Sequence, residues 1–296
     1  MQATGPERNH TALFVVGGIV LAGLLATTSP ARAAFDGIAS FLSLQGKPEP
    51  ASANVLSTHE SEKLDEMSPQ GQAELLLERS INHYAGANDQ IAARVARWRG
   101  KVTLTSRLNH LFVTAINSDD LRVRVAGVEI DIAARDLAKN VETVDRLEPI
   151  ARTGEQGPRA NALWDLGLIG NRGIEPARVA QILLSSIRDS NENVRYWAVE
   201  GLAFLGTDET IEPLLDVFRD DASPKIRERA ACSLAQSGML SKPQRLRAVP
   251  RLLDYAADFN MDPQTRGWVF QALRDITGQN LPHDPVAWRR WYDAQR

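Results

Sequence analysis

Val194-Arg195-Tyr196-Trp197-Ala198-Val199-Glu200-Gly201-Leu202-Ala203-Phe204-Leu205-Gly206 is the stretch that decides the fold, because the chain repeats it. Val194, Ala198, Leu202 and Leu205 fall at i, i+4, i+8 and i+11, which is one face of an α-helix. Gly206 closes the segment, since glycine takes the left-handed conformation past a helix end without steric penalty. Pro158–Gly170 and Ile226–Gly238 repeat the pattern, with Arg159 and Arg227 eleven positions before the closing glycine, as Arg195 is. Thr265–Gly278 repeats it around Arg266 with one residue added. Successive arginines lie 32 to 39 residues apart. Periods of this size mark stacked helical units, each of which buries its apolar face only against its neighbours.

The residues between the copies supply the second helix of each unit. After Gly206, the residues Thr207 and Asp208 offer caps, and Ile211, Leu214, Leu215 and Phe218 form another helical stripe. Ser223-Pro224 and Asp262-Pro263 place a capping residue before a proline at the first helical position. Ser241 with Gln244 makes a capping box. The expected unit is helix, short turn, helix.

This pattern, Asp-x(5)-Arg followed by Ala and Leu at helical spacing and a closing Gly, resembles the HEAT repeat. Asp189 with Arg195 and Asp221 with Arg227 match it residue by residue, six apart. Asn260 stands in the acidic place before Arg266, and the Arg159 copy has no Asp there. An earlier copy, Ser118–Ala134 around Arg124, keeps Asp119 and Asp120 but lacks the glycine. The resemblance runs from about Leu108 to the C-terminus. It implies an all-α, right-handed superhelix of about four to five helical hairpins that acts as a protein-binding scaffold, with the arginines paired to aspartates as a structural ladder. It implies no catalytic centre.

Composition agrees with a packed globular domain: 43% of residues are hydrophobic, 24% are charged, and the formal net charge is −3. An acidic chain offers no general attraction to nucleic acid or anionic membranes. Arg8 and His10 precede an uncharged run, Ala12–Ala26, followed by Ala31-Arg32-Ala33. That is the layout of a secretory signal peptide, with cleavage expected after Ala33 and an uncleaved membrane anchor as the alternative. The run is fifteen residues, short of the ~20 that a spanning helix needs. Residues 34–67 read as a flexible tether, 68–107 as a helical cap opened by Ser68-Pro69, 108–283 as the repeats, and 284–296 as a closing helix carrying Trp288, Trp291 and Tyr292.

Five histidines, no two of them at i, i+3 or i, i+4 on one helix, give no metal site. No cofactor is expected. Cys232 is the only cysteine, so no intramolecular disulfide exists, and it reads as an inert, fairly buried thiol. Arg124, Arg159, Arg195, Arg227 and Arg266 could track phosphates, but the acidic residues beside them favour pairing between units. Helical geometry turns Tyr196 and Glu200 away from the core stripe, with Trp164, Glu228, Cys232 and Gln271 at matching positions. Trp164, Tyr196, Glu200, Glu228 and Gln271 are therefore the candidate surface for a protein or peptide. The expected function is a non-catalytic scaffold outside the cytoplasm. The alternative is an enzyme on the same scaffold, such as the tetrapyrrole lyases or isomerases known among HEAT-like proteins.

Overall fold

The computed structural model describes residues 54–295, and the signal segment and the first part of the tether lie outside them. The described chain is an all-α solenoid. It begins earlier than the sequence predicts, because α1 (Thr58–Leu64) lies within the expected tether. A capping box between Ser57 and Glu60 starts it, and Leu64 is fully buried. A polar heptapeptide with no helical stripe gives little warning of this, and packing against its neighbours decides the matter.

Four further helices complete an N-terminal unit: α2 (Pro69–Ile81), α3 (Ala87–Trp98), α4 (Ser106–Ile116) and α5 (Leu121–Ala134). Their shared core contains Leu64, Leu76, Ile91, Trp98, Leu108 and Ile130. A second, larger core holds the rest. It is built from the hairpins α6 (Val141–Thr153) with α7 (Gln156–Asn171), α8 (Pro176–Ser186) with α9 (Glu192–Leu205), and α10 (Ile211–Asp220) with α11 (Pro224–Ala235). In the last unit α12 (Lys242–Leu246) and α13 (Val249–Ala256) precede α14 (Pro263–Thr277), and α15 (Pro285–Asp293) follows. The two cores meet along α4 and α5: Phe112, Val128 and Ile132 belong to the larger one, and Ala115, Val123 and Ile130 to the smaller.

The sequence motif is the second helix of each hairpin. Helices α7, α9, α11 and α14 pack directly on one another, whereas first-row helices barely touch their successors. A stack that is tighter along one row curves with that row inside, so the motif helices form the concave face. Glycines set the closest step. A Cβ on Gly167 would lie 2.7 Å from the Gly201 Cα, and one on Gly201 would lie 2.6 Å from the Leu163 carbonyl oxygen. Backbone thus packs on backbone where α7 crosses α9.

Gly206 and Gly278 adopt the expected left-handed conformation at φ 63° and 72° and cap α9 and α14. Gly170 does not: α7 continues through Asn171, and the left-handed residue is Gly173. Gly170 is small for another reason, since a Cβ there would meet Leu205 and Val179 side chains at 2.7 and 2.9 Å. At the far end Trp288 is fully buried and donates from Nε1 to the Pro282 carbonyl at 2.9 Å, closing the last apolar face.

Candidate protein-binding face

Arg195 and Arg227 each use both the acidic residue of their own unit and that of the next. Arg195 donates to the Asp189 backbone carbonyl at 2.9 Å and forms a two-pronged pair with the Asp221 carboxylate at 2.8 and 3.2 Å. Arg159 pairs with Asp189 at 2.6 Å. Arg227 donates to the Asp221 carbonyl at 2.7 Å and reaches Thr265 and Asp262 one unit on. Asp262, the cap of α14, takes the acceptor role expected of Asn260. Asp189 and Asp221 each also accept a backbone N–H two residues on, from Asn191 and Ser223 at 2.8 Å. One carboxylate therefore shapes the turn and ties the units together. Arg266 ends the series with no carboxylate partner among the described residues.

Arg124 is no member of this ladder. It is buried, and its guanidinium donates to the carbonyls of Ser118, Gln236 and Gly238, the last two just beyond the C-terminus of α11. Arg245 lies beside it, donating to the carbonyls of Ser233, Leu234, Ser237 and Leu240. Burial, with Arg124 adding to it, pushes Arg245 down to about 9, so it remains charged at neutral pH, and burial lowers Arg124 as well. Two cations at the negative end of a helix are electrostatically well placed.

Helix α5 is the element that joins the units. Val123, Ala126, Ile130 and Ala133 face the N-terminal core, and Val128 and Ile132 enter the solenoid core. It runs across the inner row from α7 to the end of α11. Asp131, fully buried, accepts from Trp164 Nε1 at 3.0 Å, and Arg135 joins Asp131 at 3.0 Å and Asp165 at 3.3 Å. Glu129 pairs with Arg172 and Lys139.

The expected binding stripe is corrected accordingly. Trp164 is only 7% exposed, with α5 against it through the Asp131 hydrogen bond. Its ring packs on Phe204 and edge-on against Trp197, with centroids 4.5 and 5.9 Å away. Glu200 is also buried, because Arg229 of the next unit pairs with it at 2.7 Å. Tyr196 is half-buried beside Trp197 and under the Lys225 ammonium. Glu228 is exposed and Gln271 partly so. Cys232 is half-buried, and burial raises its thiol pKa, as expected for an inert thiol. The open part of the inner row thus lies over α11 and α14, around Lys225, Glu228, Gln271 and Asp275.

Asp131, Asp165, Arg229 and Arg245 are structural players that the repeat motif does not mark. Asp165 is the most informative of them. Burial pushes its carboxyl up to about 6, with Arg135 opposing and Asp131 adding to the rise. A carboxyl whose folded pKa exceeds its unfolded value binds protons more tightly in the folded state. Acidifying from pH 7 to 5 therefore stabilises the fold through this group, and raising the pH through 6 removes that contribution. Asp165→Asn should reduce the stability difference between pH 5 and 7 by about 1–3 kcal/mol, as read from urea denaturation. An unchanged difference would contradict the placement. Among the described residues no group of His, Cys, Asp or Glu could hold a metal ion, and no helix is long and apolar enough to cross a membrane.

Stacked helical hairpins, an inner row tied by arginine–aspartate pairs and glycine crossings define the class as an α-solenoid repeat protein. Residues 144–235, from within α6 to the end of α11, match the family profile for HEAT repeats. This segment of the chain therefore carries HEAT repeats. Among solved structures, the crystal structure of an engineered protein is similar at a TM-score of 0.33 and 16% identity, over 76% of this chain and 94% of that one. No curated protein matches the sequence.

Proposed function

We propose that the protein is a non-catalytic interaction scaffold that binds a protein or peptide along the open part of its inner row, over α11 and α14. The observation that carries this reading is the contrast along that row. Over α7 and α9 the outward positions are consumed by the chain itself, through Asp131 on Trp164 and Arg229 on Glu200. Over α11 and α14 the same positions hold Glu228, exposed, and Gln271, partly exposed. HEAT repeats commonly serve as interaction scaffolds, which supports the class but names no partner. The N-terminal segment supports a site of action outside the cytoplasm, with the signal either removed or kept as an anchor. For the tetrapyrrole-enzyme alternative, the described residues bring no exposed carboxylate–histidine pair onto the inner row. The buried carboxylates Asp131 and Asp165 are held by Arg135 and Trp164, and the His83 Nδ1 lies 3.6 Å from Asp120 at the start of α5.

The test is photo-crosslinking in the native host from residues introduced at Glu228 and Gln271. A reproducible polypeptide trapped at both sites is expected. Trapping at neither would overturn the reading.

A further inference from the structure

The N-terminal unit carries a second surface with a different chemistry. Where α1, α2 and α3 meet, a cleft of ~390 Å³ is lined by Asp65, Gln72, Arg94, Arg97, Trp98 and Lys101, among others. Its floor is rigid. Trp98 is 1% exposed and donates from Nε1 to Gln72 at 2.8 Å, and Gln72 in turn donates to the Leu64 and Met67 carbonyls at 2.7 and 3.0 Å. Its wall is basic. Arg97 and Lys101 are exposed, and neither side chain has a hydrogen bond or ion pair among the described residues. Elsewhere Arg107, Arg152, Arg247, Arg251 and Arg289 meet carboxylates, while the exposed Arg146, Arg188 and Arg290 form no ion pair among the described residues. Asp65 answers only Arg94, at 2.9 Å, and Arg94 also meets Gln90.

Two exposed cations, Arg97 and Lys101, line this one cleft in an otherwise acidic chain, and they specify the charge of what it would take. We propose that this cleft is a docking site for an acidic peptide segment. Carboxylates of the segment take the exposed donors of Arg97 and Lys101. Arginine presents a planar fork that suits a carboxylate, and lysine adds a mobile point charge. The volume falls within the range of small-ligand sites and admits a few side chains. The inference rests on the scaffold reading for the choice of a polypeptide, but its site is separate from the inner row over α11 and α14.

Fluorescence anisotropy with a fluorescein-labelled hexaglutamate peptide at low ionic strength tests it on the protein itself. Saturable binding is expected, weakening as salt screens the pairs. Arg97→Ala with Lys101→Ala should weaken it by about tenfold or more. Arg97→Lys with Lys101→Arg should restore most of it, and Arg188→Ala, an exposed cation between α8 and α9, should leave it unchanged. Melting curves that match the parent protein exclude misfolding as the cause. Absence of saturable binding, or equal binding by the double alanine variant, would overturn the proposal. So would displacement by inorganic phosphate at concentrations where free glutamate has no effect, since that marks simple oxyanion capture. If hexaglutamate fails while crosslinks at Glu228 and Gln271 still trap a polypeptide, this inference falls and the scaffold reading stands. Hexaglutamate binding without such crosslinks leaves the cleft standing and removes the inner row as the working surface.

Discussion

Gly201→Ala is expected to destabilise the protein by about 3 kcal/mol or more, although alanine is the better helix former. In an open helix interior the same change stabilises by roughly 0.5–1 kcal/mol. The difference comes from contact. A methyl group at position 201 would lie 2.6 Å from both the Leu163 carbonyl oxygen and a Leu183 methyl. The carbonyl belongs to the backbone of α7 and cannot turn aside, so α7 and α9 must separate where the inner row is tightest. Gly267→Ala is the internal control. Gly267 lies inside α14 with nothing within 4 Å of where its Cβ would stand. It should show the ordinary gain. Denaturant unfolding of both variants checks the pair, and a neutral or stabilising Gly201→Ala would contradict the close crossing.

Arg124→Ala carries the second large effect. It removes three charged hydrogen bonds to the carbonyls of Ser118, Gln236 and Gly238. Each such bond contributes on the order of 1.5–3 kcal/mol, but relief of repulsion with Arg245 offsets part of the loss. A net loss of about 2–4 kcal/mol follows. Its character matters more than its size. Arg124 is the link between the N-terminal unit and the end of α11, so its loss should separate unfolding into two transitions. It should also speed tryptic cleavage at Lys139, in the α5–α6 connection. Arg124→Lys should not rescue, because a point charge cannot serve three carbonyls set around a planar guanidinium. A single, merely shifted transition with unchanged proteolysis would show that α5 is held by its apolar contacts alone.

The repeats are legible in the sequence because the same physical demands recur in every unit. A small residue at Ala162, Ala198 and Ala230 admits the neighbouring helix, a capping residue opens the segment, and an arginine answers an aspartate. Recurrence turns weak local signals into a strong one. The ladder is legible as well, down to its aspartates, except at its end, where Asp262 and Thr265 replace Asn260. The parts that are not legible come from the one place where the chain departs from its own repetition. Ser118–Ala134 passes for another unit, and only its all-round apolar character, Val123, Val125, Ala126, Val128, Ile130 and Ile132 together, marks a helix buried on two sides. Given that signal, the burial of Trp164 beneath α5 follows. The burial of Glu200 does not, because it depends on Arg229 reaching back from the next unit, a contact that no spacing rule within one helix predicts.

The inner row is closed by the chain itself over α7 and α9 and open over α11 and α14, and the proposed function follows from that contrast. The most direct test compares crosslinking from three positions in the native host: Glu228 on the open inner row, Trp164 beneath α5, and Gln181, exposed on the first-row helix α8. A scaffold that works through its open inner row should trap a reproducible polypeptide from position 228 and none from 164 or 181. Trapping from 181 in preference to 228 would place the working surface on the outer row and contradict it.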